Sequence, residues 1–244
     1  MKEIAGRSMA SAASEVRQRI GEACARYGRS VDSVTLIAVT KTVPVARVAE
    51  ARAAGVDHFG ENYAKDLVAK ASAVGGTWHF IGTLQSGTAR LVADHADVIH
   101  SAEPGGAVDR LARRARSNDR TIPCLVEVDF TTGRHGVRPE DLPAFLDHVE
   151  GLPGIELIGL MTVPPQTDQA EQARPYFRRL RQMLEAHREA HPTLRELSMG
   201  MSADFEIAVE EGATMVRVGT ALFGDRPNAD AEPEAPGTAP GDAT

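Results

Sequence analysis

The chain has 244 residues, 42% hydrophobic and 25% charged, the balance of a globular protein with a sizeable core. Its formal net charge of -7, without a long basic run, argues against nucleic acid as the main partner and leaves room for a small anion held locally. The N-terminus, Met1-Lys2-Glu3-Ile4-Ala5-Gly6, has no signal-peptide apolar stretch and no span reaches membrane length, so the sequence reads as cytoplasmic with no membrane partner.

Ala13, Val16, Ile20 and Cys24 share one face at helical spacing up to Tyr27-Gly28 and predict an opening helix. An alternation follows. Strand-like runs fall at residues 35–40, 57–60, 78–82, 97–100, 123–129, 155–162, 197–199 and 215–219. Helical stretches between them fall at 45–54, 63–73, 106–117, 139–149, 170–190 and 203–211. The long one before the seventh strand puts Phe177, Leu180, Met183 and Leu184 on one stripe. Eight strands alternating with helices predict a parallel sheet, and this length favours a closed (β/α)8 barrel carrying an extra N-terminal helix. The barrel is expected to span residues 1–228, and residues 229–244, which lack large apolar side chains, to form a disordered tail.

Two cysteines, Cys24 and Cys124, stand far apart in no metal-like spacing and read as buried thiols of a reducing compartment. His187 and His191 stand four apart, but no third ligand accompanies them, so they read as a solvated helix face rather than a metal site. Glu210-Glu211 before Gly212 reads as an exposed helix end, and Arg113-Arg114-Ala115-Arg116 as cations suited to a helix C-terminus.

Lys41 ends the apolar run Leu36-Ile37-Ala38-Val39-Thr40. A buried ammonium is costly without a partner, and a desolvated lysine is the side chain that forms a Schiff base with an aldehyde. In such barrels chemistry gathers where strands end. Those positions hold Lys41, Gly60-Glu61-Asn62-Tyr63, His79, Met161-Thr162, Ser198 through Ser202, and Arg217 through Thr220. Ser202 is expected to cap the helix at 203–211, and Gly219-Thr220 precedes a short helical turn. Two adjacent helix N-termini after the last two strands favour a phosphate. A phosphate site beside a strand-end lysine suggests pyridoxal phosphate (PLP), an aldehyde with a phosphate handle.

Ala38-Val39-Thr40-Lys41, Phe59-Gly60-Glu61-Asn62-Tyr63, Trp78-His79-Phe80-Ile81-Gly82, Leu84-Gln85-Ser86, Gly159-Leu160-Met161, Leu197-Ser198-Met199-Gly200-Met201-Ser202 and Val216-Arg217-Val218-Gly219-Thr220 occur in order over nearly the whole ordered length. In these segments the chain resembles the pyridoxal phosphate homeostasis proteins (the YggS/PROSC group), which share the barrel of alanine racemase. The resemblance implies that Lys41 holds PLP as an aldimine. It further implies that Ser202, Gly219 and Thr220, with Ser198 as a weaker candidate, contact the phosphate, and that Arg217 faces the pyridine nitrogen. Asn62, His79 and Met161 match positions that line the cofactor pocket. The family usually carries Asn-Lys after Leu84-Gln85-Ser86, where this chain has Gly87-Thr88; no rim role of those two side chains is carried over.

A guanidinium has donors and no acceptor, so Arg217 disfavours a protonated pyridinium and makes the ring a poorer electron sink, unless Arg217 simply pairs with Glu206 or Glu210. Racemisation needs an acid/base group on each face of the α-carbon. In alanine racemases the opposing tyrosine comes from an extra C-terminal domain. Of Tyr27, Tyr63 and Tyr176 only Tyr63 lies near the rim. No catalytic residue is therefore assigned, and the expected function is intracellular PLP buffering and delivery to apo PLP-dependent enzymes. A monomer is expected rather than an oligomer. Two alternatives stay open: a PLP enzyme such as an amino-acid racemase with weak or partner-assisted activity, and a barrel binding another phosphorylated metabolite non-covalently.

Overall fold

A computed structural model describes residues 7–131, 133–165 and 169–224. Its strands are β1 (Thr35–Val39), β2 (His58–Glu61), β3 (Thr77–Phe80), β4 (Val98–Ala102), β5 (Ile122–Glu127), β6 (Ile155–Met161), β7 (Glu196–Ser198) and β8 (Met215–Val218). Neighbours pair in parallel and in chain order, and β8 returns to β1 through Ile37 opposite Arg217, closing the barrel. Around it lie α1 (Met9–Arg26), α2 (Val45–Ala53), α3 (Ala64–Val74), α4 (Ala89–His95), α5 (Gly106–Ser117), α6 (Leu142–Glu150), α7 (Arg174–His187), α8 (Phe205–Glu210) and α9 (Thr220–Phe223). This is the expected (β/α)8 architecture. The extra helix α1 is capped by Ser8, whose hydroxyl accepts from Ser11 N, and it buries Ala13, Val16, Ile20 and Cys24 against α2, α8 and α9. The expected tail at 229–244 lies outside the described residues.

Two apolar clusters follow from strand alternation. Outward residues meet the helices, as where Phe59 and Trp78 stack with ring centroids 5.1 Å apart; each such buried side chain contributes about 1.5–3 kcal/mol. Inward residues Ile37, Leu125, Ile158, Met161 and Met215 form a separate small cluster within the barrel. It fills only part of the interior. Other inward positions carry polar groups, His79, His100, Ser198 and Arg217 among them, which build the site.

Several element ends differ from the sequence reading. Helix α4 was not foreseen, because its buried face is mostly alanine: Ala89, Val92 and Ala93 give a weak periodic signal. The stretch 170–190 divides into a 3-10 turn, Ala170–Ala173, and α7, with Pro175 in the first turn of α7, where its missing N–H costs nothing. The stretch 139–149 becomes helical only at Leu142, and 203–211 only at Phe205. Asp204, not Ser202, precedes α8, and its Oδ1 accepts from Met201 N at 2.6 Å.

The surface expectations for two segments are overturned. Glu211 is buried and bonded by Arg174 at 3.1 Å and Arg178 at 2.9 Å, while Glu210 takes Arg26 and Arg174. A carboxylate can be buried when arginine forks satisfy it. His191 is likewise buried, its Nδ1 2.9 Å from Glu150 Oε2, rather than solvated beside His187. No cluster fit for a metal occurs among the described residues.

Candidate functional site at the barrel rim

Lys41 follows β1 in a tight turn. Thr40 C=O accepts from Val43 N at 2.9 Å, and Thr42 takes φ 62°. A positive φ at the third turn position normally calls for glycine or asparagine, so this β-branched residue is held under strain of about 1–3 kcal/mol. The turn is anchored from behind. Lys70 Nζ donates to Thr40 C=O at 2.7 Å, and Thr40 Oγ1 donates to Glu61 Oε2 at 2.6 Å. Lys70 Nζ also lies 3.4 Å from Glu61, whose carboxyl burial pushes towards the neutral form. By contrast, no hydrogen bond or ion pair engages Lys41 Nζ among the described residues.

Arg217 lies on β8, next to β1, and is buried. Nη1 donates to Ser198 Oγ at 2.6 Å and Nη2 to Thr162 C=O at 2.9 Å. The alternative pairing with Glu206 or Glu210 is excluded, since Glu206 binds Arg19 and Glu210 binds Arg26 and Arg174. Burial pulls its pKa down to about 10, against the opposing pull of Glu127 and Asp204, so it stays cationic at neutral pH. Nε makes no bond among the described residues.

The loop after β7 turns at Gly200, φ 91°, where a Cβ would meet Ala208 Cβ at 2.5 Å. Only glycine fits there. The turn sends Ser202 towards α9 instead of α8. Ser202 Oγ accepts from Gly219 N at 3.1 Å and Ala221 N at 3.3 Å, which corrects the expected cap. The reason is that Asp204 already occupies the place before α8. Ser202, Gly219 and Thr220 thus share one corner. Asn62, after β2, keeps a buried Oδ1 without any hydrogen-bond partner. An orphaned buried acceptor costs about 1–3 kcal/mol and calls for a donor. The loop after β3 crosses it at Gly82, whose missing Cβ leaves room for the Asn62 backbone.

Three expected site residues sit deeper than the rim. Ser198 is fully buried with its hydroxyl between Arg217 and His100, so it supports the arginine rather than facing outwards. His79 is buried between His58 and His100, at 3.0 and 2.8 Å, and burial holds it down at about 3. Met161 packs in the inner apolar cluster, opposite Ser198 on β7. At the Gly87-Thr88 departure, Thr88 precedes α4 and its hydroxyl donates to Gln85 C=O at 3.3 Å.

Sequence reasoning placed Glu61 at a strand end without giving it a role, and missed Lys70, His58, His100 and Glu127. Their signal lay in strand alternation and spacing, since His58, His79 and His100 recur every 21 residues on consecutive strands. Glu127 ends β5, opposite β1 across the barrel, and burial raises its carboxyl to about 7 although Arg217 pulls it down. A separate hollow of about 630 Å³ lies outside the barrel beside Tyr27. Its arginines are spent: Arg174 and Arg178 on glutamates, and Arg29 on the carbonyls of Val209 and Ala213.

A profile of the alanine racemase N-terminal domain matches residues 16–227. A Pseudomonas aeruginosa protein is 41% identical over 217 residues, covering 87% of this chain and 93% of its own length. An Aquifex aeolicus protein is 39% identical over 219 residues, covering 87% and 96%. Both are named pyridoxal phosphate homeostasis protein. The chain belongs to this family. The structure of PipY from Synechococcus elongatus with PLP bound superposes with a TM-score of 0.79 at 36% identity, over 89% of this chain and 100% of that one.

Proposed function

We propose that this chain binds PLP at the barrel rim and serves in PLP homeostasis, holding and releasing the coenzyme without efficient turnover. The observation that carries the reading is Lys41 Nζ, left unpartnered on a strained, anchored turn one strand from a buried Arg217. When bound, PLP supplies an aldehyde carbon and a phosphate. Lys41 would add its amine to that carbon with loss of water. The phosphate would lie against Ser202, Gly219 and Thr220. Ser202 suits this, because its oxygen already accepts two amides and its own proton is left to donate. Asn62 Oδ1 would gain a donor from the ligand or its water. His79, Met161 and Ser198 would act from below, by holding Arg217 and the floor of the pocket.

Arg217 would face the ring nitrogen. A cation with no acceptor keeps that nitrogen unprotonated and weakens the ring as an electron sink, which suits storage better than carbanion chemistry. The curated relatives bear the name of a homeostasis protein rather than that of an enzyme. Apo PLP-dependent enzymes would receive the coenzyme from a monomeric carrier. The cytoplasm suits it, since Cys24 and Cys124 are both free and buried, and no described helix is long and apolar enough to cross a membrane.

The test is to load the full chain with PLP, follow its visible band, and incubate it with single L-amino acids. A stable band with no D-isomer above background is expected. Lys41-dependent racemisation at enzyme-like rates would overturn the carrier reading.

A further inference from the structure

Four buried or half-buried side chains join Arg217 to the opposite end of the barrel. His58 Nδ1 lies 3.0 Å from His79 Nε2, His79 Nδ1 2.8 Å from His100 Nε2, and His100 Nδ1 2.8 Å from Ser198 Oγ. Arg217 Nη1 completes the line at 2.6 Å from the same hydroxyl. His58 begins β2, at the floor of the barrel, and borders a hollow of about 440 Å³ with Arg17, Asp32, Thr35 and Asp57.

The direction of the line follows from donor counting. Arg217 can only donate, so Ser198 Oγ accepts from it. Ser198 is fully buried, and His100 Nδ1 is the one other partner of its hydroxyl among the described residues. If His100 also donated, the buried hydroxyl proton would be stranded without an acceptor. Ser198 therefore donates to His100 Nδ1, His100 Nε2–H to His79 Nδ1, and His79 Nε2–H to His58 Nδ1. Each donor along the line from Arg217 Nη1 to His58 Nδ1 then has its acceptor.

We propose that His58, His79, His100 and Ser198 form a one-way hydrogen-bond relay that positions Arg217 and transmits the charge state of the barrel floor to the coenzyme's ring nitrogen. This rests on reading Arg217 as the ring-nitrogen partner. Protonating His58 places a proton on Nδ1, facing the N–H of His79. The clash is relieved only by reversing every tautomer, which makes His100 Nδ1–H donate to Ser198 Oγ beside Arg217 and leaves the hydroxyl proton without an acceptor. The charged groups around His58 are Asp97 before β4, which favours its protonation, Asp57 paired with Arg52, and Arg17 and Asp32 across the hollow. Burial of His58 itself opposes it and outweighs Asp97. His58 is the port.

The test uses the full chain with and without PLP. Two-bond proton–nitrogen NMR of the PLP-free protein should show His79 and His100 both protonated on Nε2 near neutral pH. In the loaded protein, the visible band should titrate with an inflection below about 6.5. That inflection should vanish in His58→Asn, which keeps an acceptor near Nδ1 and does not titrate. His58→Leu, lacking the acceptor, should lose roughly tenfold in PLP affinity, while His58→Asn keeps wild-type affinity. An Nδ1–H tautomer at His79 or His100 overturns the relay, and so does an unchanged pH profile in His58→Asn. A wild-type chain that gives no visible band at all overturns the coenzyme reading instead, while the tautomers still decide the relay.

Discussion

Arg217 brings a charge into the barrel without a bonded carboxylate. Its two Nη groups meet a serine hydroxyl and a carbonyl, with Glu127 and Asp204 supplying only longer-range attraction. A planar fork can hold both acceptors at once, whereas a lysine ammonium on a flexible stem cannot keep that geometry. Arg217→Lys should therefore lower unfolding free energy by about 1–3 kcal/mol in urea titrations, with unchanged stability contradicting the bonding described. Thr42 matters in the opposite sense. Its strained φ lies in the turn directly after Lys41. Thr42→Gly relieves the strain but adds chain entropy, so stability should stay within about 1 kcal/mol of wild type while PLP affinity falls.

At the scale of elements, the turn after β1 is fixed by α3 through one buried pair. Lys70 reaches from α3 to Thr40 C=O and to Glu61 at the end of β2. Removing one partner leaves an uncompensated buried charge, so Lys70→Met should cost about 3–5 kcal/mol, and adding Glu61→Gln should restore part of it. A double-mutant cycle by denaturant unfolding checks this, and additive losses would contradict it. The strands and most helices were legible in the sequence because their apolar periods are strong, and Lys41, Arg217 and the Ser202 corner because of their motif order. What stayed hidden was partner choice. Ser202 reads as a cap for the helix after it, yet caps α9, since only the fold reveals that Asp204 takes the nearer place. Glu210 and Glu211 read as exposed because their arginines, Arg26, Arg174 and Arg178, come from helices distant in sequence.

For the whole molecule, the barrel interior makes stability depend on pH in two opposed ways. His79, held at about 3 against an ordinary 6.5, and His100, also pushed well below, stay neutral in the fold. The unfolded chain binds their protons first, so their contribution is complete above 6.5 and is lost as pH falls from there. Each costs about 1.4 kcal/mol per pH unit. Glu127, raised from 4.5 to about 7, binds its proton more tightly when folded, so its contribution is complete below 4.5 and is lost as pH rises to about 7. Between 4.5 and 6.5 the two act against each other: acidification removes the contribution of His79 and His100 and restores that of Glu127. Glu127→Gln should gain roughly 1–3 kcal/mol above pH 7 and nothing near pH 4. A gain that is the same at both pH values would contradict the assignment.

The proposed PLP site centres on the amine of Lys41. Reducing the PLP-treated full chain with borohydride and mapping its peptides by mass spectrometry tests it most directly. One reduced pyridoxyl adduct is expected, on the peptide that contains Lys41, and Lys41→Ala should carry none. An adduct only on other lysines, or none after saturation with PLP, would contradict the account.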